Sequence, residues 1–126
     1  MKSKKYAESL LSLNKLAKEE GIDRVMNNLN LDAIVSPTGS PAWSTDLLNG
    51  DNYYIGSSSP AAMAGYPNIS IPMGNIHGLP VGISFFGKAW SEPTLIQIAF
   101  DFEMLSSIHL SCSEPRRFLS FELRSL

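Results

Sequence analysis

Cysteine occurs once in the 126 residues, as Cys112, and histidine twice, as His77 and His109. One cysteine cannot build an internal disulfide framework, and it fits a reducing compartment. Two separated histidines and that cysteine give no zinc spacing, and Asp46 with Asp51 does not make a calcium loop. No metal or other cofactor is therefore expected. Charge is also scarce: Asp, Glu, Lys and Arg make up 17% of the chain, against roughly 25% in ordinary soluble domains. The net charge of −2 leaves no electrostatic footprint for a phosphate backbone, which excludes nucleic acid as a partner. Neither G-x-G-x-x-G nor G-x-x-x-x-G-K-[ST] is present, so no phosphate-cradling loop is expected.

The shortage of charge is concentrated. From Asn52 to Gly87 there are 36 residues without one Asp, Glu, Lys or Arg. Glycines and prolines, among them Gly56, Pro60, Gly65, Pro67, Pro72 and Gly78, cut this run into pieces far shorter than the ~20 apolar residues of a spanning helix, so no membrane is expected. The run reads as buried soluble structure, because charged residues are the ones most reluctant to be buried. A single domain of this length leaves much of its surface in water, so some covering surface is expected to lie outside this chain. Lys2, Lys4 and Lys5 resemble the start of a signal peptide, but Glu8, Asn14, Lys15 and Lys18 interrupt the apolar run it needs, and a cytoplasmic location follows.

Tyr6, Leu10, Leu13 and Ala17 recur at helical spacing and Gly21 is a suitable stop, predicting an amphipathic helix over about 3–20. Asp23 is placed to cap a second helix over about 23–28 that turns Val25 and Met26 inward. Residues 32–36 read as a short buried strand, followed by an irregular loop whose large side chains are Trp43, Tyr53 and Tyr54. Ser59 and Pro60 open a small-residue helix over about 59–65. Strands are expected over about 68–73 and 81–86, paired antiparallel, with Pro72 marking an edge or a bulge. Ser91 and Pro93 open a last helix over about 92–106, with Leu95, Ile98, Ala99, Phe102 and Leu105 as its apolar stripe. The class is α/β. Residues 108–126 read as a tail or a short docking helix.

A complete active site is missing from the residues. Gly56-Ser57-Ser58-Ser59-Pro60 resembles a nucleophile elbow, but that turn needs glycine where Pro60 stands. A nucleophilic serine also needs a base, and no motif ties His77, His109 or Lys88 to these serines. The plainer reading makes the serines helix-capping groups, His77 a turn residue and Lys88 a solvated strand end.

Three blocks nevertheless stand in a telling order: Ser57-Ser-Ser-Pro-Ala-Ala-Met-Ala-Gly-Tyr-Pro67, Ile69-Ser-Ile-Pro-Met-Gly74 and Gly78-Leu-Pro-Val-Gly-Ile-Ser-Phe-Phe-Gly87. Together with Leu31-Asp-Ala-Ile-Val-Ser-Pro-Thr38 and Ser91-Glu-Pro-Thr-Leu95, they closely resemble the C-terminal segment of amidase signature enzymes. The resemblance implies part of a large α/β domain with a mixed central sheet, residues 1–107 being an incomplete portion of it. Enzymes of this family act on the carbon–nitrogen bond of amides with a serine, a second serine joined by a cis peptide, and a lysine. Their Gly/Ser-rich signature does not occur here, so no catalytic residue is assigned. The resemblance implies scaffold and part of a substrate wall, with Trp43, Tyr53, Tyr54, Ser57 and Ser58 as its candidate residues. In the amidotransferase subunits that work on transfer RNA an acidic residue precedes the matching proline by five positions; Ile55 stands there, which favours a stand-alone amidase relative. The expected function is a C-terminal fragment of an amidase, inactive alone and completed by the missing N-terminal part of its domain or self-associated through exposed apolar surface. The alternative is a non-catalytic binding or assembly module derived from the same fold.

Overall fold

The computed structural model describes residues 3–51 and 53–106; the tail 108–126, with His109 and Cys112, lies outside them. The chain opens with α1 (Lys4–Asn14), capped by the Ser3 hydroxyl, which accepts from Tyr6 N. The backbone then widens into π-type turns over Lys15–Ile22 and breaks at Gly21, where φ is −98° and ψ −107°. A Cβ at Gly21 would lie 2.8 Å from the Leu16 carbonyl oxygen, so the break needs glycine. Helix α2 (Asp23–Leu29) follows and ends at Asn30, in the left-handed conformation that asparagine tolerates.

Here two expectations need correction. Asp23 does not cap α2; the cap position is Ile22, and the Asp23 carboxylate accepts instead from the Tyr66 hydroxyl at 2.8 Å. Of the adjacent pair, only Met26 is buried; Val25 is 43% exposed. The reason is phase: Ile22 and Met26 are four apart and share the face that meets the core, which places Val25 at its margin.

Strand β1 (Ile34–Pro37) leads into the long loop, after which come α3 (Ser58–Ala64), β2 (Asn68–Ile76), β3 (Leu79–Phe86) and α4 (Glu92–Ser106). The result is a mixed α/β unit whose three strands run in the order β1-β3-β2, all antiparallel. β1 alternates between half-buried and exposed positions, so it is less buried than its apolar sequence suggests; at the sheet edge one side of the strand stays open. β2 is the other edge, and its register slips between Pro72 and Gly74. Proline cannot donate to a ladder, and this bulge at an edge accommodates it. The turn formers over 74–80 extend both strands until only His77 and Gly78 remain between the paired Ile76 and Leu79. Both have positive φ, 50° and 76°, the signature of a type I′ hairpin turn.

Successive residues of β3 serve opposite faces of the sheet. Phe86 packs into a cluster with Ile22, Met26, Ala61 and Ala64, where the alanines let α3 approach closely. Phe85 faces α4 and meets Phe102 edge to face, centroids 5.8 Å apart; Leu95 and Ala99 are buried on the same helix. Leu105, expected in that stripe, is 85% exposed, since α4 runs past the part of the sheet that covers its first three turns. No helix among the described residues is long and apolar enough to cross a membrane.

Candidate functional site

The loop between β1 and α3 leaves and returns to the sheet through a narrow neck. Thr38 N donates to the Gly82 carbonyl at 2.8 Å, Ser57 N to the Thr38 carbonyl at 3.3 Å and Ser40 N to the Ile55 carbonyl at 3.4 Å, with Gly39 and Gly56 paired as an antiparallel bridge. The Tyr53 hydroxyl lies over Gly56 in the space a Cβ would take, so a larger residue at 56 would displace the Tyr53 ring. The ring of Tyr53 in turn meets Trp43 at 71° with centroids 5.9 Å apart, a favoured edge-to-face arrangement. Trp43 and Tyr53 are thus brought together above the neck, whereas Tyr54 is exposed and forms no ring contact among the described residues. At the loop tip the Asp46 carboxylate accepts from Leu48 N at 2.9 Å and from the Asn49 backbone and side-chain nitrogens at 3.1 and 2.7 Å. These bonds, the Asn49 side chain first, hold its pKa below the usual carboxylate range.

The three serines at 57–59 do not behave as expected. Helix α3 starts at Ser58, its cap position is Ser57, and the Ser57 side chain makes no capping hydrogen bond; neither Ser57 nor Ser59 caps the helix. The neck decides this, because Ser57 N is already committed to Thr38 and fixes a backbone (φ −100°, ψ 2°) outside the extended region a capping side chain needs. Ser57 is 9% exposed, and its Oγ is buried with no hydrogen-bond partner among the described residues; the same holds for Ser40 Oγ. Ser58 is exposed.

Next to these orphans lies a group that sequence reasoning missed. Ser84 is buried to 1% exposure and its Oγ sits 2.7 Å from Thr38 Oγ1 and 2.8 Å from Ser70 Oγ. A hydroxyl ladder therefore runs from Ser70 on β2 through Ser84 on β3 to Thr38, the residue that follows β1. Gly82 makes room for it, since a Cβ there would lie 2.9 Å from Thr38 Oγ1. The alternation of Gly82, Ser84 and Phe86 along β3 held this signal, because it puts a hydroxyl on a core-facing strand position.

The other candidates are structural. His77 is exposed in the hairpin turn. Lys88 Nζ donates to Asn27 Oδ1 at 2.5 Å, tying the end of β3 to α2. Tyr66 is anchored by Asp23 and overlaid by Lys18 Nζ at 5.5 Å from its ring centroid; burial first, then the Asp23 carboxylate, pushes its pKa up to about 12. Among the described residues no three His, Cys, Asp or Glu side chains are grouped to hold a metal. A groove of about 330 Å³ runs beside α3, lined by Leu16, Val25, Ile34, Pro60, Met63 and Phe86; Leu16, Val25 and Met63 on its rim are exposed.

Comparison with known proteins accounts for the blocks. A family model described as Amidase matches residues 1–96. The Arabidopsis thaliana protein named Probable amidase is 40% identical over 101 residues, covering 79% of this chain and 16% of its own length. The matching glutamyl-tRNA(Gln) amidotransferase subunit from Streptococcus suis (strain 05ZYH33) is 39% identical over 83 residues, covering 62% of this chain and 17% of its own length. Among solved structures, the peptide amidase bound to the competitive inhibitor chymostatin superposes with a TM-score of 0.79 at 42% identity, over 85% of this chain and 22% of that one. The chain thus spans about a fifth or less of the length of these relatives.

Proposed function

This chain belongs to the Amidase family, and from that premise we propose that it supplies the C-terminal scaffold and part of the substrate wall of a hydrolase acting on amide carbon–nitrogen bonds, without turning over substrate alone. The observation that carries the reading is the contrast between a sequence that keeps the family's ordered blocks and one that holds no Gly/Ser-rich signature to bring a serine, a second serine and a lysine together. Ser57, Ser58 and Lys88 do not substitute for them: Ser57 Oγ has no hydrogen-bond partner among the described residues, and Lys88 is spent on Asn27. In this reading Trp43 and Tyr53 present an aromatic face to the acyl side of the substrate, Tyr54 extends it and Ser57 and Ser58 bound it at the base of the loop. The missing N-terminal part of the amidase domain is the partner, and it covers the groove beside α3. Similarity to peptide amidases at 42% identity, together with Ile55 in place of an acidic residue, favours a stand-alone amidase over one that serves transfer RNA in an amidotransferase. The lone cysteine supports a cytoplasmic location.

The test is amide hydrolysis by the purified full chain, with a peptide amide as substrate. No turnover above background is expected. Turnover that disappears in Ser58→Ala or Lys88→Ala overturns the reading. Size-exclusion chromatography with a dye for apolar surface separates it from an assembly module: uncovered faces give self-association and dye binding, whereas a monodisperse chain without dye binding favours the module.

A further inference from the structure

Helix α4 is apolar on two sides. Its inner side is occupied: Leu95 and Ala99 are buried, and Phe102 meets Phe85 of the sheet. On the outer side Ile96, Phe100 and Met104 stand four residues apart and so form one stripe along the helix. They are 59%, 56% and 64% exposed. A helix covered on one side ordinarily turns polar groups to water on the other, whereas one that is apolar on both belongs between two layers. Acidic groups border this stripe, Glu92 and Glu103 on one margin and Asp101 on the other. With no Lys or Arg over 92–106 the helix carries three negative charges, and none of these carboxylates has an ion-pair partner among the described residues; Asp101 accepts only from Gln97 Nε2, at 2.9 Å. The occupant that fits is apolar along a strip and net basic.

The chain itself holds such a segment. Twenty residues of the sequence follow Ser106, with Arg116, Arg117 and Arg124 against Glu114 and Glu122, a net charge of +1. Ser113-Glu114-Pro115 repeats the Ser91-Glu92-Pro93 with which α4 opens, and that pattern predicts a second helix from Glu114 onward. On it Leu119, Leu123 and Leu126 fall at i, i+4 and i+7, with Phe118 beside them. We propose that residues 114–126 fold back antiparallel along α4, laying these leucines on Ile96, Phe100 and Met104. The lengths agree. The seven residues 107–113 lie within the roughly 2–8 that join neighbouring helices, and the helix they lead into extends about 20 Å, more than the about 12 Å from Ile96 to Met104. This takes up the docking-helix reading of residues 108–126. It does not draw on the scaffold reading, because α4 packs on the Phe85 face of the sheet and the groove beside α3 lies on the Phe86 face.

Paramagnetic relaxation in the 15N-labelled full chain tests it, with a nitroxide attached through Ser120→Cys, off the leucine stripe, in a Cys112→Ser background. Broadening of the Ile96, Phe100 and Met104 amide signals is expected, with those of Leu16, Val25 and Met63 beside the α3 groove untouched. Leu123→Asp removes it, and so does Phe100→Asp at an exposed position that the core does not need. A mixture of nitroxide-bearing chains without 15N and 15N chains without nitroxide is expected to show none. Trypsin gives a second readout: cleavage after Arg117 is about tenfold slower in the parent than in Phe100→Asp, the protection that burying the exposed half of one phenylalanine supplies. Broadening confined to residues adjoining Ser106 overturns the proposal, as does an equal trypsin rate in parent and Phe100→Asp. Broadening at the α3 groove, or in the mixture, overturns it by placing the segment elsewhere or on a second copy.

Discussion

Ser84→Ala tests the hydroxyl ladder directly. Ser84 is almost wholly buried, and its Oγ joins Thr38 at 2.7 Å and Ser70 at 2.8 Å, so alanine removes two hydrogen bonds and leaves the Cβ in place. A neutral hydrogen bond contributes about 1 kcal/mol net, and a buried partner left without one costs about 1–3 kcal/mol. The two partners are not equivalent. Ser70 is exposed at the edge of the sheet and turns to water at little cost, whereas Thr38 is held in the neck, half-buried under the loop. The expected destabilisation is therefore about 1.5–2.5 kcal/mol, most of it from Thr38. For a domain near 100 residues this lowers the melting temperature by about 6–15 °C. Urea unfolding of the full chain, followed by far-ultraviolet circular dichroism, measures it, with an unchanged m-value as the sign that stability alone has moved. Thr38→Val in a double-mutant cycle with Ser84→Ala isolates the shared bond and is expected to show coupling of about 1 kcal/mol. The comparison with Ser57 sharpens the test, because both serines are buried but only one is partnered, and their alanine variants should move stability in opposite directions. A Ser84→Ala variant within about 0.5 kcal/mol of the parent, inside the usual range of surface substitutions, refutes the argument.

Leu95→Ala is expected to cost about 2–5 kcal/mol, because the side chain is fully buried and the Gly87 backbone above it cannot collapse into the space; a loss under about 1 kcal/mol, far below that range, in the same unfolding assay contradicts this packing. Tyr66 has a folded pKa of about 12 against an ordinary value near 10. The folded chain therefore holds its proton more tightly, and the contribution of Tyr66 to stability is complete below about pH 10 and fades as pH rises toward 12. Tyr66→Phe lacks this fade, so the gap in urea midpoint between parent and variant should shrink from pH 9 to pH 11.5; a constant gap refutes the raised pKa that burial and then the Asp23 carboxylate produce. His77→Asn should raise stability by up to about 0.5 kcal/mol, since asparagine accepts the left-handed conformation of a type I′ turn more readily than histidine. A drop in its urea midpoint is the contrary result.

Much of the fold was legible because short-range chemistry decides it. Gly21 and Gly65 mark helix ends, Pro72 marks the bulge at the sheet edge, and the Gly/Pro-rich stretch over 74–80 marks the hairpin, each through a conformational limit of the residue itself. The misplacements share another cause. Any of the three serines at 57–59 satisfies the local pattern for a helix cap, and the choice among them is made by the pairing of Gly39 with Gly56, 17 residues apart. Val25 and Met26 are neighbours of equal apolar character, and the break at Gly21 sets which of them meets Phe86. The ladder joins Ser70 and Ser84, which strand register brings together, to Thr38, which its backbone bond to Gly82 holds beside them. At the candidate site the sequence points to the aromatic side chains, while the unpartnered hydroxyls of Ser40 and Ser57 depend on where the loop closes.

The charge-free run now has a different meaning from burial within this chain. Its residues include Tyr53, Tyr54, Ile55, Met63, Ile76 and Leu79, all of which are exposed. Among its described residues, only those around Ser57, Ala61, Ala64, Val81 and Ser84–Gly87 are withdrawn from water by the chain itself. Apolar surface of this extent is selected against on a freely soluble face, where single charges would be the ordinary remedy. Their absence over 36 residues is what the proposed covering by the rest of an amidase domain would produce. Leucines Leu10, Leu11, Leu13 and Leu16 extend the same uncovered character along α1 and the π-type turns after it. Under that proposal the covering body is large, because two separate elements, one on the helical side and one along the loop and hairpin, carry the signature. A small partner would need to satisfy only the groove beside α3, and would leave Tyr54 and the hairpin free to acquire charge.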